Sequence, residues 1–254
     1  AGIQVLLQSL TSGSCIILTQ NNNLSYKIDD LIRYNCNAIS ATPSLWRQIM
    51  MLPNAKNLNL KQVTLGGEIA DQAILDTLKS KFPNAKIRHI YALTEIGVVF
   101  SVSDGLAGFP LEFMTAGHSN NLKLKIGEDS CLWIKPKSKS LDNVSESNGY
   151  INTQDIISVS GNRVNFIGRK TGMINVGGKK VVPEEVESIL AKHKNVINVR
   201  ISPKKNSILG NLLIAEVVFS DCVKDEKQML EELISYSKKE LKRFQQPYQF
   251  KVVK

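Results

Sequence analysis

Residues 166–187 read FIGRKTGMINVGGKKVVPEEVE. The stretch opens in an apolar run, 164–167, expected to be a strand end, and turns at Gly168. Arg169 and Lys170 follow at the surface, and Gly172 breaks the chain again. Residues 173–176 read as a short strand. Gly177-Gly178 marks a place where backbone adopts positive φ or lets another group approach closely. Pro183 stands at a first helical position, with Glu184, Glu185 and Glu187 in the first turn, where carboxylates favour the positive end of the helix dipole. One strand system ends, a short polar joint follows, and a new unit starts. Spacing alone favours an ordinary domain linker followed by a capped helix.

The ordered run Gly-Arg-Lys, Ile-Asn-Val-Gly-Gly-Lys-Lys-Val, Pro-Glu-Glu-Val-Glu nevertheless resembles the hinge and C-terminal-domain entry of adenylate-forming enzymes. That superfamily holds acyl-CoA synthetases, aryl-CoA ligases, peptide-synthetase adenylation domains and luciferases. The resemblance implies that the last domain pivots at Thr171, where the family usually has Asp or Lys. It also implies that Gly177 and Gly178 let a pantetheine arm pass the backbone.

Upstream, residues 3–90 alternate helical and strand-like segments. Helices are expected over 3–10, 26–34, 43–50 and 71–82, and strands over 15–18, 38–41, 63–65 and 86–91. Thr42-Pro43 is a helix start with an N-cap threonine. Such alternation argues for a parallel sheet covered by helices, and ligands gather at the carboxyl ends of its strands. Two strands there end in Gly66-Gly67-Glu68 and Tyr91-Ala92-Leu93-Thr94-Glu95. The first by itself is a tight strand-to-helix turn. In the second, an aromatic face can stack on a base, a hydroxyl can donate to a phosphate, and a carboxylate can hold Mg²⁺; a polar loop around a half-buried Tyr is the plain alternative.

Residues 91–95 are similar to the family loop Tyr-Gly-x-Thr-Glu, with Ala92 in place of Gly. By that resemblance adenine contacts Gly66-Gly67-Glu68 and Tyr91, Thr94 holds the α-phosphate, and Glu95 holds Mg²⁺. Residues 40–46 resemble the segment before the family's acyl-site helix, which offers Trp46 either the acyl-pocket wall or the ordinary core. Residues 122–134 alternate as a β-hairpin about Gly127-Glu128-Asp129, and strands are expected over 156–159 and 164–167. Without the family, Asp155 is a strand-end turn residue. Thr153-Gln154-Asp155 resembles the family's Thr-Gly-Asp, with Gln154 replacing Gly, and so implies that Asp155 accepts the ribose hydroxyls. Arg169 matches the family's ribose-contacting Arg. After the joint the order is helix 183–193, strands 196–201 and 212–219, helix 225–244 and strand 248–253.

The fold class that follows is α/β: a parallel-sheet subdomain with flanking helices (1–110), a small β-barrel-like subdomain (111–168), then a compact α+β C-terminal domain after a hinge (169–254). Hydrophobic content of 43% and charged content of 22% are ordinary for a globular chain. A net charge of +9 brings nucleic acid into view, but the cations are scattered. The densest group, Lys238-Lys239 with Lys242-Arg243, closes an expected helix where cations suit the dipole. No run reaches the roughly 20 apolar residues of a membrane span. Cys15, Cys36, Cys131 and Cys222 are isolated, as in a reducing cytoplasm, and His89, His118 and His193 lack metal-ligand spacing.

The start Ala1-Gly2-Ile3 has neither initiator Met nor signal segment, as expected of a fragment. The family's Ser/Thr/Gly-rich phosphate loop is expected upstream of Ala1, and its catalytic lysine beyond Lys254. The resemblance implies an AMP-forming carboxylic acid ligase using ATP and Mg²⁺, with CoA or a carrier-protein phosphopantetheine as acceptor. The fragment alone is expected to be weak or inactive. The alternative is a non-catalytic nucleotide- or carrier-binding module of the same fold.

Overall fold

A computed structural model describes residues 2–20, 22–94, 96–115, 122–135, 149–220, 223 and 225–253. The chain divides into two units, Ala1–Ala107 and Gly108–Lys254.

In the first unit the order is α1 (Gly2–Ser12), α2 (Leu24–Arg33), β1 (Ala38–Ala41), α3 (Pro43–Met51), β2 (Gln62–Gly66), α4 (Gln72–Lys81), β3 (Lys86–Leu93) and β4 (Gly97–Val102). Side-chain oxygens start three of the helices: Asn23 accepts from Ser25 N–H, Thr42 from Leu45 N–H and Asp71 from Ile74 N–H. Each satisfies a donor that the first helical turn leaves without a partner. Strands β1, β2 and β3 are parallel neighbours, and β4 returns antiparallel beside β3. Ile28, Trp46, Val63, Leu65, Leu78 and Phe82 fill the core beneath them. Trp46 is fully buried and donates its indole N–H to the Thr64 carbonyl at 3.0 Å, so it belongs to the core.

Two expectations need correction here. Residues 15–18 form no strand: no described residue pairs with them, and Leu18 is 87% exposed. Residues 92–93, expected to lie in a loop past the strand over 86–91, belong to β3. Strand β4, which alternation upstream of it did not suggest, folds back and supplies ladder partners, Tyr91 opposite Phe100 and Leu93 opposite Gly97.

The second unit holds two sheets. Strands β5 (Phe109–Pro110), β6 (Lys123–Ile126), β7 (Cys131–Lys135), β8 (Ile151–Ser160) and β9 (Arg163–Arg169) form an antiparallel sheet in the order β5-β9-β8-β7-β6. A 3₁₀ turn, Lys170–Gly172, leads to β10 (Ile174–Val176), β11 (Lys179–Val181), α5 (Pro183–Leu190), β12 (Val196–Asn206), β13 (Gly210–Phe219), α6 (Glu226–Glu240) and β14 (Gln249–Val252). Their sheet runs β11-β10-β13-β12, with β14 parallel to β13. Ile174, Val186, Leu190, Val199, Leu213 and Leu233 join α5 and α6 to it in one core.

Strands β8 and β9 are longer than expected because they pair with each other as far as Asp155 opposite Arg169, and β8 begins earlier still against β7, Asn152 opposite Trp133 and Ile151 opposite Ile134. Both helices are shorter. α5 stops at Leu190, and α6 stops at Glu240 because Leu241 turns extended, its carbonyl accepting from the Gln246 side chain at 3.0 Å.

Candidate functional site

Two groups of the expected residues are built locally, one in each unit. In the first unit, β2 ends at Gly66 directly beside Ile90 of β3, so the Gly66–Glu68 turn and Tyr91 share the carboxyl end of the parallel strands. Gly67 has φ +82, a left-handed conformation that costs a residue with a Cβ about 1–2 kcal/mol. The carboxylate of Glu68 accepts from the Ser44 backbone N–H at 2.9 Å, in the first turn of α3. There it meets the positive end of the helix dipole, so Glu68 has a structural task of its own. Tyr91 is half-buried and its ring stacks on Phe100 with centroids 5.2 Å apart. Thr94 lies exposed in the turn after β3. Glu95, the expected Mg²⁺ ligand, lies outside the described residues. Among the described residues no group of three or more His, Cys, Asp or Glu is arranged to hold a metal ion.

In the second unit, Thr153, Gln154 and Asp155 lie within β8. Asp155 is 7% exposed, yet it is the register partner of Arg169, whose Nε donates to Oδ1 at 2.8 Å. The Thr153 hydroxyl donates to the Leu132 carbonyl at 2.8 Å and accepts from Asp155 N–H at 3.1 Å, which fixes the backbone under the carboxylate. Gln154 adopts φ +62, and its N–H donates to the Asn152 side chain at 2.9 Å. The position thus keeps the conformation a glycine would take.

Thr171 is exposed in the 3₁₀ turn that leaves β9. A cavity of about 480 Å³ opens beside it, lined by Gly172, Met173, Asn175, Pro183 and Asn211 among others. Gly177 and Gly178 form the tight turn between β10 and β11, with φ +56 and +80. They stand at the opposite end of β10 from Thr171.

Sequence reasoning missed Asp129. Its carboxylate accepts from Lys170 Nζ at 2.9 Å, Asn152 Nδ2 and Cys131 N–H at 3.2 Å, and Trp133 Nε1 at 3.3 Å. The Lys170 hydrogen bond holds its carboxyl well below the ordinary carboxylate range, against the opposing effect of burial. The same bond raises Lys170. Burial, with Asp129 nearby, pushes the Cys131 thiol up to about 11. An Asp in a Gly-rich turn signals a bond to backbone two residues on, but nothing in the sequence links it to a lysine 41 residues later. Glu184 was likewise unassigned beyond its helix end. It packs against Gly168, and its Oε2 is buried without a hydrogen-bond partner in the structure.

Comparison with known proteins bears on this arrangement. A family model described as AMP-binding enzyme matches residues 1–129, just over half of the chain. A 4-coumarate–CoA ligase of Humulus lupulus is 25% identical over 258 residues, covering 91% of this chain and 47% of its own length. A solved structure of an E. coli MenE variant with bound OSB-AMS superposes with a TM-score of 0.76 at 22% identity, covering all of this chain and 54% of that one. The anthranilate CoA ligase AuaEII in complex with anthranoyl-AMP gives a TM-score of 0.75 at 15% identity, over 94% of this chain and 50% of that one. The chain therefore spans about half the length of each of these three relatives.

Proposed function

Because the chain belongs to the AMP-binding enzyme family, we propose that it serves AMP-forming ligation of a carboxylic acid. In the first half-reaction a substrate carboxylate oxygen attacks the α-phosphorus of ATP and pyrophosphate leaves. In the second, a thiol sulfur attacks the acyl carbonyl, the thiol proton goes to solvent, and AMP departs with the electrons of the broken C–O bond. The acceptor is the thiol of CoA or of a carrier-protein phosphopantetheine. The free state of Cys15, Cys36 and Cys131 agrees with a cytoplasmic setting. Among the described residues no helix is long and apolar enough to cross a membrane.

The roles follow from chemistry and resemblance together. Asp155 accepts the two ribose hydroxyls, with Arg169 orienting its carboxylate and contacting the sugar. The ring of Tyr91, backed by Phe100, stacks on adenine, whose edge faces the Gly66-Gly67-Glu68 backbone. Thr94 donates to the α-phosphate. Glu95 holds Mg²⁺, which offsets phosphate charge when bound. Fixed donors aimed at developing charge supply most of the barrier reduction in such transfers, typically on the order of 10²–10³ in rate for one donor. Thr171 is the pivot between half-reactions, and Gly177-Gly178 border the pantetheine path.

The observation that carries this reading is a carboxylate nine-tenths buried, Asp155, held on a fixed backbone with a guanidinium at 2.8 Å. Calorimetry with an acyl-sulfamoyl adenosine tests it. Hydrogen bonds to a charged group contribute about 1.5–3 kcal/mol, so Asp155→Ala should weaken binding at least about tenfold, with Asp155→Asn in between. Unchanged affinity in a folded Asp155→Ala protein would return the pair to a purely structural role.

A further inference from the structure

The second sheet ends in two turns that carry exposed apolar and basic side chains which neither the core nor the proposed ligation uses. The β10–β11 turn, Gly177-Gly178, and the β12–β13 turn, residues 207–209, lie side by side. Val176 is the register partner of Gly210, and Gly177 N–H donates to the Leu209 carbonyl at 2.9 Å. At this apex Ile208 is 88% exposed and Leu209 43% exposed. Just below it stand four exposed lysines, Lys179 and Lys180 on β11 and Lys204 and Lys205 on β12. Residues 175–181 and 203–213 contain no acidic side chain.

The arrangement is directional. Successive strand residues point to opposite faces, so each lysine pair puts one ammonium on either face of the sheet. A protein docking face-on would meet only half of them. A plane approached end-on meets all four, with the aliphatic pair leading. At about 3.3 Å per residue, Lys205 begins only some 10 Å behind the turn, and its long stem lets the ammonium reach forward.

We propose that this apex docks end-on to an anionic lipid surface, Ile208 and Leu209 entering the headgroup region while the four lysines engage lipid charge. The side chains it uses, Ile208, Leu209 and the four lysines, have no role in the proposed ligation, so the two readings can fail separately.

Sedimentation of the 254-residue chain with vesicles tests it. Vesicles of phosphatidylcholine alone should leave the protein in solution, and an equimolar phosphatidylcholine–phosphatidylglycerol mixture should pull it down. Each Lys→Gln at 179, 180, 204 or 205 should weaken that binding about fivefold, and salt should weaken it as the screening length falls below about 10 Å. Ile208→Asn, at an exposed turn where folding is unaffected, should weaken it as well. Lys238→Gln with Lys239→Gln, in the densest basic cluster elsewhere, should leave it unchanged. Four outcomes would each overturn the proposal: no sedimentation with anionic vesicles, equal binding to neutral ones, indifference to Ile208→Asn, or an equal loss from the Lys238/Lys239 change. Capture by an acidic protein without vesicle binding would overturn it too.

Discussion

Gln154 sits at φ +62 in the middle of β8, one residue before the buried Asp155. A side chain in that conformation costs about 1–2 kcal/mol, and glycine would remove the cost while giving up about 0.5–1 kcal/mol of unfolded-chain entropy. Gln154→Gly should therefore stabilise the protein by up to about 1 kcal/mol, read as a raised urea midpoint. A lowered midpoint would show that the glutamine side chain contributes more than its backbone loses. The departure from the family's Gly does not by itself speak for the non-catalytic alternative, because the backbone keeps the glycine-like shape without the glycine.

At the scale of elements, what could be read in advance follows from how local the cause is. Thr42, Asp71 and Asp225 each accept an N–H three residues on, and Pro183 opens α5; such signals live within one turn. Strand β4 could not be read so, since its partner is β3 and its VVFSV run has no alternation of its own. The expected strand at 15–18 failed for the reverse reason, having apolar residues but no ladder. Tyr91 and Asp155 were legible as chemistry through resemblance. The expected strand over 86–91 did reach Tyr91, but the place of Asp155 inside β8 was not legible, because it depends on pairing with Arg169 in the next strand.

Least legible was the Asp129–Lys170 pair, which ties the β6–β7 turn to the 3₁₀ turn beside Thr171. Asp129 has a depressed folded-state pKa, so the pair's stabilisation is complete above the unfolded value of about 3.9 and fades as pH falls through the folded one. Wild-type protein should lose stability below about pH 4 more steeply than Asp129→Asn, while the two run parallel from neutral pH to 5. Denaturant midpoints across pH would check this, and parallel curves throughout would remove the pair from any role in holding the two turns together.

At the scale of the whole chain, the second unit holds two sheets that meet at one small residue. Gly168, near the end of β9, lies under the start of α5. A Cβ there would come within 2.4 Å of Val182 Cγ1 and 2.5 Å of Glu184 Oε2. The first sheet and the C-terminal core are thus pressed together where no side chain fits, one step before the turn that holds Lys170 and Thr171. Overpacking of this kind typically costs about 1–3 kcal/mol. Because α5 belongs to the C-terminal core through Val186 and Leu190, the cost falls on the joint between the sheets and leaves either sheet's own ladder intact. Gly168→Ala should then lower the denaturant midpoint and raise amide exchange in α5 and residues 168–172 before it does so in β7 or β13. Uniform exchange across both sheets would mean that they unfold as one body and that the glycine is ordinary core. Exchange confined to the joint would mark it as the place where the C-terminal part of the unit is free to turn.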